Sequence, residues 1–341
     1  MTQDPHAAPT IHTVADAAGV SIASVSRVLN GLTTNEETIQ RVRAAVDEVG
    51  YVPNSAAKSL KTSQTGQIAF AMENIGNAAY LAMVQAIQPV LRQAGYRLLL
   101  HSTNADTSDE IDVIRSLGQR YVDGLIMCPL RVTRRHLTEL KRAQSPVVVI
   151  GRLPKSCPVD NVHVDSRPGV ARAVEHLAEQ GRTRIALVDG PLDTVPGKSR
   201  YAGYQDGLAE VGMTEDAARV AFTDFTVEGG AKAAAEMLKA KRPPDAFFAA
   251  NDLMALGVLQ AVREAGLDVP GDVAVVGMDD TELATSAWPP LSSVSLGARE
   301  RGRLAAELLL ERLADPGRTP HRISVEPELV VRASSGTEST R

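Results

Sequence analysis

An α/β core of two doubly wound, parallel-sheet lobes, with a small all-helical unit ahead of it, is the architecture to which this chain points. Three observations carry the expectation. From Gln67 onward, short β-rich runs alternate with amphipathic stretches, the pattern of βαβ units. Several runs, such as VVVI at 147–150 and VAVV at 273–276, are apolar without a break, as strands covered on both faces require. The first fifty residues show no such alternation and hold short helical patterns separated by cap residues.

Composition agrees. At roughly 100–200 residues per domain, 341 residues suggest two or three folded units. Hydrophobic residues make up 44% and charged residues 23%, as in an ordinary globular protein, while 4% aromatics leave the cores to Ala, Val and Leu. The net charge of -5 excludes a polycation, so any nucleic-acid contact needs a local surface. Cys128 and Cys157 are too few for a disulfide framework and read as inert thiols. The opening MTQDPHAAP lacks the basic and apolar regions of a secretory signal, and no apolar run reaches membrane-spanning length. A cytoplasmic chain with no membrane partner and a disordered tail over 1–9 is expected.

Taken in order, Thr10 caps a helix over 11–18 whose inner side is Val14, Ala15 and Ala18, and Gly19 stops it. Ser21 caps a second helix, 22–29, with Val25, Val28 and Leu29 as its buried stripe. Its opposite face carries Ile22, Ala23, Ser26, Arg27 and Asn30. Asn35 caps a third helix, 36–49, with Ile39, Val42, Val46 and Val49 inward and Gly50 at its end. Two short helices joined by Ala-Gly-Val-Ser form a helix-turn-helix pattern, whose second helix enters the DNA major groove. Ile22, Ala23 and Arg27 would then meet base edges. An arginine bidentate on guanine gives about 1–3 kcal/mol of discrimination. Ser21, Ser24, Ser26 and Asn30 can hold phosphates without a full charge. That matters because Arg27, Arg41, Arg43, Lys58 and Lys61 are balanced over residues 10–62 by Asp16, Glu36, Glu37, Asp47 and Glu48. Read alone, the segment also admits a plain three-helix bundle with a solvated Arg27.

Residues 51–65, YVPNSAAKSLKTSQT, are polar and small and read as a linker. Strands are then expected at 68–72, 97–101, 124–128, 147–150, 185–188, 220–222, 246–249 and 273–276. Helices are expected at 80–94, 108–119, 168–180, 199–211, 227–240 and 252–265. Gly95, Gly181 and Gly266 follow helices where a left-handed backbone closes them. The core is too long for one compact sheet, and the break between lobes is placed near Val164–Arg167. Ligands of such sheets bind outside the carboxyl ends of the strands.

The segment TIHTVADAAGVSIASVSRVLNG, followed by GYVPNSAAKSL, resembles the LacI/GalR family of bacterial transcriptional repressors. The likeness continues through FAANDLMALGVLQAVREAGL and VPGDVAVVGMDD and covers roughly residues 10–335. It implies a DNA-binding headpiece (10–50), a hinge (51–65), a core similar to periplasmic sugar-binding proteins (66–335) and a short tail (336–341). Asn54 matches the hinge-helix cap, Ala57 and Leu60 match residues inserted into the minor groove, and Tyr51 joins this DNA-binding set. The partners implied are a pseudo-palindromic double-stranded operator, a second copy of the chain, and a small effector, a sugar or related metabolite. No cofactor or metal is implied. By position, Asp165, Arg200, Asn251 and Asp279 match polar effector contacts, Phe225 matches a stacking aromatic, and Tyr80 is the ring left in the first lobe. Asp165 and Asp279 fit helix caps as well. Leu296 stands where relatives are often polar and Trp288 lies near it in sequence, which predicts a less polar cleft.

Two other functions compete with this one. An enzyme finds no support: HExxH, CxxC and GxSxG are missing, and Gly190–Ser199 lacks the first glycine of a phosphate loop. A periplasmic-type binding protein without DNA function would share the core, but residues 10–60 speak against it.

Overall fold

The structure, a computed structural model, describes residues 9–32, 35–52 and 64–336. Those residues fall into two compact units divided between Thr65 and Gly66. The expected tail 1–9 falls outside them but for its last residue, as do hinge positions 53–63 with Asn54, Ala57 and Leu60, and tail residues 337–341.

The first unit is three helices, α1 (Ile11–Ala18), α2 (Ile22–Leu29) and α3 (Glu36–Val49). Each starts at the expected cap: the side chains of Thr10, Ser21 and Asn35 accept from the backbone N–H groups of Thr13, Ser24 and Thr38. Gly19 and Gly50 are left-handed, with φ of 61° and 65°. Val14, Ala15, Ala18, Val25, Val42 and Ala45 form the core, with Val28, Leu29, Val46, Val49 and Tyr51 packed against it. Arg41 donates to the carbonyls of Ala18 and Gly19 at 2.7 and 3.0 Å, fastening α3 to the turn between α1 and α2.

The second unit holds two six-stranded sheets. The first contains β1 (Gln67–Met72), β2 (Arg97–Ser102), β3 (Gly124–Cys128), β4 (Val147–Ile150), β5 (Asp160–Val164) and β11 (Arg322–Val325), in the order β11-β5-β4-β3-β1-β2. All its pairs are parallel. The second contains β6 (Ile185–Asp189), β7 (Val220–Phe222), β8 (Ala246–Ala249), β9 (Ala274–Met278), β10 (Ser292–Ser295) and β12 (Glu328–Val330), in the order β12-β10-β9-β8-β6-β7. Only β12 on β10 is antiparallel there.

Both faces of each sheet are covered, which is why the strands are apolar throughout. In β1, Ile68, Phe70 and Met72 point to one face, under α4 (Ala78–Gln93) and α12 (Ala298–Ala314). Ala69 and Ala71 point to the other, under α5 (Thr107–Ser116) and α6 (Arg134–Arg142). In β8, Phe247 and Ala249 meet α9 (Val227–Leu238) and α10 (Asp252–Glu264). Ala246 and Phe248 meet α7 (Ser166–Glu179) and α8 (Val195–Glu210). A short α11 (Glu282–Ser286) follows β9. The paired helices approach closely through glycine: a Cβ at Gly257 would strike the Val227 carbonyl, and one at Gly302 would sit 2.8 Å from that of Met83.

The chain passes between the sheets three times, after β5, β10 and β11. The first crossing is the expected break near 164–167; the second brings α12 and β11 back to the first lobe, and the third returns the chain to the second lobe for β12. Fully buried Asp160 anchors this return, with Arg312 at 2.9 Å, Arg318 at 3.1 Å and the His321 N–H donating at 2.8 Å. Among the described residues, no helix is long and apolar enough to cross a membrane.

Candidate functional site

In the first unit, α2 turns Val25 inward and leaves its other side to solvent. Ile22 is 41% exposed, and Ala23 and Arg27 are exposed beside it. Ser21 is occupied as the cap, its Oγ 3.1 Å from the Ser24 N–H and 3.0 Å from the Ser24 Oγ. Asn30 Nδ2 donates to the Ser26 carbonyl at 2.7 Å, so Asn30 and half-buried Ser26 close the end of the helix. Tyr51 packs against the three-helix core. With Arg41 committed to the turn, the free cations of the described headpiece are Arg27 and Arg43.

In the second unit, a cleft of about 920 Å³, its open mouth included, lies between the lobes. Its wall is assembled from the carboxyl ends of the strands. Glu73 follows β1, Cys128 ends β3, Arg152 follows β4, Phe225 follows β7, Asn251 follows β8, Asp279 follows β9 and Leu296 follows β10. Each sheet reverses its strand order next to its first strand, at β1/β3 and β6/β8, which is where such folds bind ligands.

Five of the six expected effector residues meet here: Tyr80, Arg200, Phe225, Asn251 and Asp279. The Arg200 guanidinium lies over the Phe225 ring at 5.4 Å. That ring occupies the space a side chain at Gly190 would need. Asn251 caps α10, its Oδ1 2.7 Å from the Met254 N–H, and lines the cleft as well. Asp279 sits in a left-handed conformation, φ 98°, rather than capping α11, whose cap position is Thr281. Burial pushes its carboxyl above the usual range, against the pull of Arg200 and Arg301. Asp165 is the sixth, and it serves as the cap of α7: Oδ1 accepts from the Arg167 N–H and from Ser199 Oγ, both at 3.1 Å, outside the cleft lining. Trp288 also lies away from the cleft, 90% exposed. Residues 190–199 form no phosphate cradle; Thr194 caps α8, with Pro196 in its first turn.

The cleft carries charge beyond the expected residues. Leu296 does line it, but Glu73 and Arg301 add charge that the sequence reading missed. Burial raises the Glu73 carboxyl, with Arg131 and Arg200 opposing. Arg301 projects from the first turns of α12 and is only 7% exposed. Its signal was present: Ala298, Arg301, Gly302, Ala305 and Leu308 share the buried stripe of α12, and an arginine on an apolar stripe is out of place. Across the mouth, Arg131 of the first lobe grips Asp193 of the second through two bonds of 2.8 and 3.0 Å, and the Val195 N–H donates to the Leu130 carbonyl at 2.8 Å.

Comparison with known proteins gives this arrangement a lineage. Residues 10–54 match the family described as bacterial regulatory proteins, lacI family, and residues 174–335 match the periplasmic binding protein-like domain. The chain is 36% identical to the HTH-type transcriptional regulator CelR of Thermobifida fusca, over 96% of this chain and 98% of that one. It is 33% identical to the ribose operon repressor of Escherichia coli (strain K12), over 96% and 99%. Among solved structures, the lac repressor dimer bound to operator and an anti-inducer superposes with a TM-score of 0.86 at 28% identity, over 96% of this chain and 99% of that one. A CelR–cellobiose complex gives a TM-score of 0.72 at 34% identity, with the same coverage. The chain therefore belongs to the lacI family of bacterial regulatory proteins, DNA-binding transcriptional regulators with a helix-turn-helix headpiece and an effector-binding core of the periplasmic-binding-protein type.

Proposed function

We propose that the chain is a homodimeric repressor whose affinity for a pseudo-palindromic operator is set by a polyhydroxylated small molecule held between the core lobes. The single observation that carries the reading is the cleft itself. Arg200 lies over Phe225, beside Asn251 and Asp279 of its own lobe and opposite Tyr80 of the other. Carboxylate and amide oxygens accept hydroxyl protons, a guanidinium fork donates to neighbouring oxygens, and an aromatic face covers the apolar side of a sugar ring. Two relatives bear carbohydrates in their names, ribose and cellobiose, which supports the same class here.

On the DNA side, α2 supplies Ile22, Ala23 and Arg27 to base edges, while Ser21, Ser26 and Asn30 face phosphates. The headpiece spans 10–50 and the hinge 51–65, where Tyr51, Asn54, Ala57 and Leu60 complete the operator contacts. The first lobe begins directly after that hinge in sequence. A ligand that favours one angle between the lobes would bias it, and coupling of about 1–3 kcal/mol would change operator affinity some 5- to 150-fold.

Two substitutions separate the functions. Arg27→Ala lowers the preference for operator over random DNA about tenfold or more in fluorescence anisotropy, as expected for a lost base contact, and keeps the thermal response to effector. Arg200→Ala loses that thermal response and still binds operator. Operator preference unchanged in the first variant, or an intact ligand shift in the second, would contradict the assignment.

A further inference from the structure

The cleft holds two buried guanidinium groups, one from each lobe, and among the described residues neither has a hydrogen-bond or ion-pair partner. Arg301 and Arg200 are each 7% exposed, and the Nε of each is buried without a hydrogen bond. Neither side chain makes an ion pair among the described residues. The guanidiniums elsewhere in the core are committed: Arg312 and Arg318 to Asp160, Arg131 to Asp193, Arg332 to Asp280. Taking a cation out of water without a counter-charge is among the costliest things a fold can do, and it persists where something else compensates it.

The groups that act on Arg301 are Cys128, Asp279, Tyr80 and Arg200. Burial pushes the Cys128 thiol up to about 11 and the Tyr80 phenol well above its ordinary value, so both are neutral near pH 7. That leaves Asp279 as the one carboxylate acting on Arg301, and the same Asp279 acts on Arg200. Glu73 and Asp189 also act on Arg200 from a distance, and burial raises both carboxyls. Among the described residues none of Asp279, Glu73 and Asp189 makes an ion pair with Arg200 or Arg301, so each guanidinium lacks a counter-charge in contact. Neutral hydroxyls would give these forks acceptors but no counter-charge in contact. An oxyanion gives both, since a guanidinium meets a carboxylate or phosphate through two parallel N–H bonds.

We propose that the effector carries an oxyanion, a carboxylate or a phosphate, seated between Arg301 of the first lobe and Arg200 of the second. This deepens the sugar-cleft reading and rests on it: Phe225, Asn251 and Asp279 hold the hydroxylated body while the two arginines hold the charged end. Because the arginines belong to different lobes, the anion ties the lobes together, and neutral and anionic forms of one sugar are told apart at this point.

The test uses the full chain as wild type, Arg301→Leu and Arg301→Lys. Thermal-shift titrations at constant chloride-balanced ionic strength compare D-glucose, D-glucuronate, D-glucose 6-phosphate and inorganic phosphate. The wild type is expected to bind glucuronate or glucose 6-phosphate at least tenfold more tightly than glucose, the two arms separating carboxylate from phosphate. Inorganic phosphate alone protects it. Arg301→Leu brings the anionic probes to within about twofold of glucose, abolishes protection by phosphate, and without ligand melts no lower than the wild type, because a buried unpaired charge is gone. Arg301→Lys keeps part of the preference and serves as the folded control. If glucose protects as well as its anionic derivatives, the sugar cleft stands and the anion seat is wrong. If phosphate protects through Arg301 and no sugar does, the anion seat stands and the sugar body is wrong. Protection by none of the four, or an anion preference that survives Arg301→Leu, overturns the proposal.

Discussion

Asp189 closes β6 inside the second lobe with no exposure to solvent. Its Oδ1 accepts from the Gly190 N–H at 2.7 Å, and its Oδ2 has no partner. Burial lifts its carboxyl from 3.8 to about 7, against the pull of Arg200. A carboxyl that holds its proton more tightly in the folded state stabilises the fold fully below pH 3.8, and that contribution is lost as pH rises through about 7. The size is on the order of a few kcal/mol. Asp252, also lifted to about 7, acts in the same direction. Asp189→Asn is expected to melt higher than the wild type at pH 8, with the gap closing toward pH 5. Parallel melting curves across that range would refute it. Residues of this kind are hard to read from sequence, because an aspartate at a strand end looks like any cap. Arg200, Phe225, Asn251 and Asp279 were legible through the family resemblance, which matches their positions to effector contacts. Arg301 and Glu73 were not: one sits among the charges of GARERGR, where a buried stripe is easily overlooked, and the other in a loop without a motif.

Elements were legible where apolar runs are long. The eight strands expected from such runs are all present. The four that escaped, β5, β10, β11 and β12, hide their strand character in polar residues. In β5, buried Asn161 donates to the carbonyls of Val149 and Gly151, and Asp160 holds the arginines. In β10, fully buried Ser292 donates to the Arg332 carbonyl and Ser293 to Asp252. β11 and β12 are short strands at the sheet edges. Helix α12 was missed for its charged start, although it forms much of the first-lobe core. Helix pairing rests on glycine in a way composition alone does not reveal. A Cβ at Gly257 would meet the Val227 carbonyl, and one at Gly230 the Met254 carbonyl, so α9 and α10 touch backbone to backbone. Gly257→Ala is expected to lower core stability by about 2 kcal/mol or more, since overpacking against backbone cannot be relieved by a rotamer. Denaturant unfolding followed in the core should show it, with headpiece binding to non-specific DNA little changed. A core midpoint equal to the wild type would contradict this packing.

The two lobes meet across a cleft whose mouth is bridged by Arg131 and Asp193. Arg131 holds the Asp193 carboxyl below its usual range. The pair is largely exposed, so its effect on melting should be small, yet it exists only when the lobes are close. Asp193→Asn is therefore expected to weaken effector binding by about two- to fivefold, the range of an exposed ion pair, and more weakly at high salt. Calorimetric titration reads it; equal affinity at low salt would mean that the bridge does not bias closure. At this scale the two-lobe plan and the first crossing were legible from strand–helix alternation, while the two later crossings were not, because they run through the charged and serine-rich segments just described. Those crossings carry a consequence for synthesis. The ribosome releases β1 to β5 first, but the helix that roofs them and the strand that borders them emerge only after all but the last strand of the other lobe has been made. The opening third of the core must wait with Phe70, Met72 and Ile87 uncovered until Leu308 and Leu309 arrive. A nascent chain halted near residue 296 would expose a greasy, chaperone-binding face, although every residue of its first five strands is already in place.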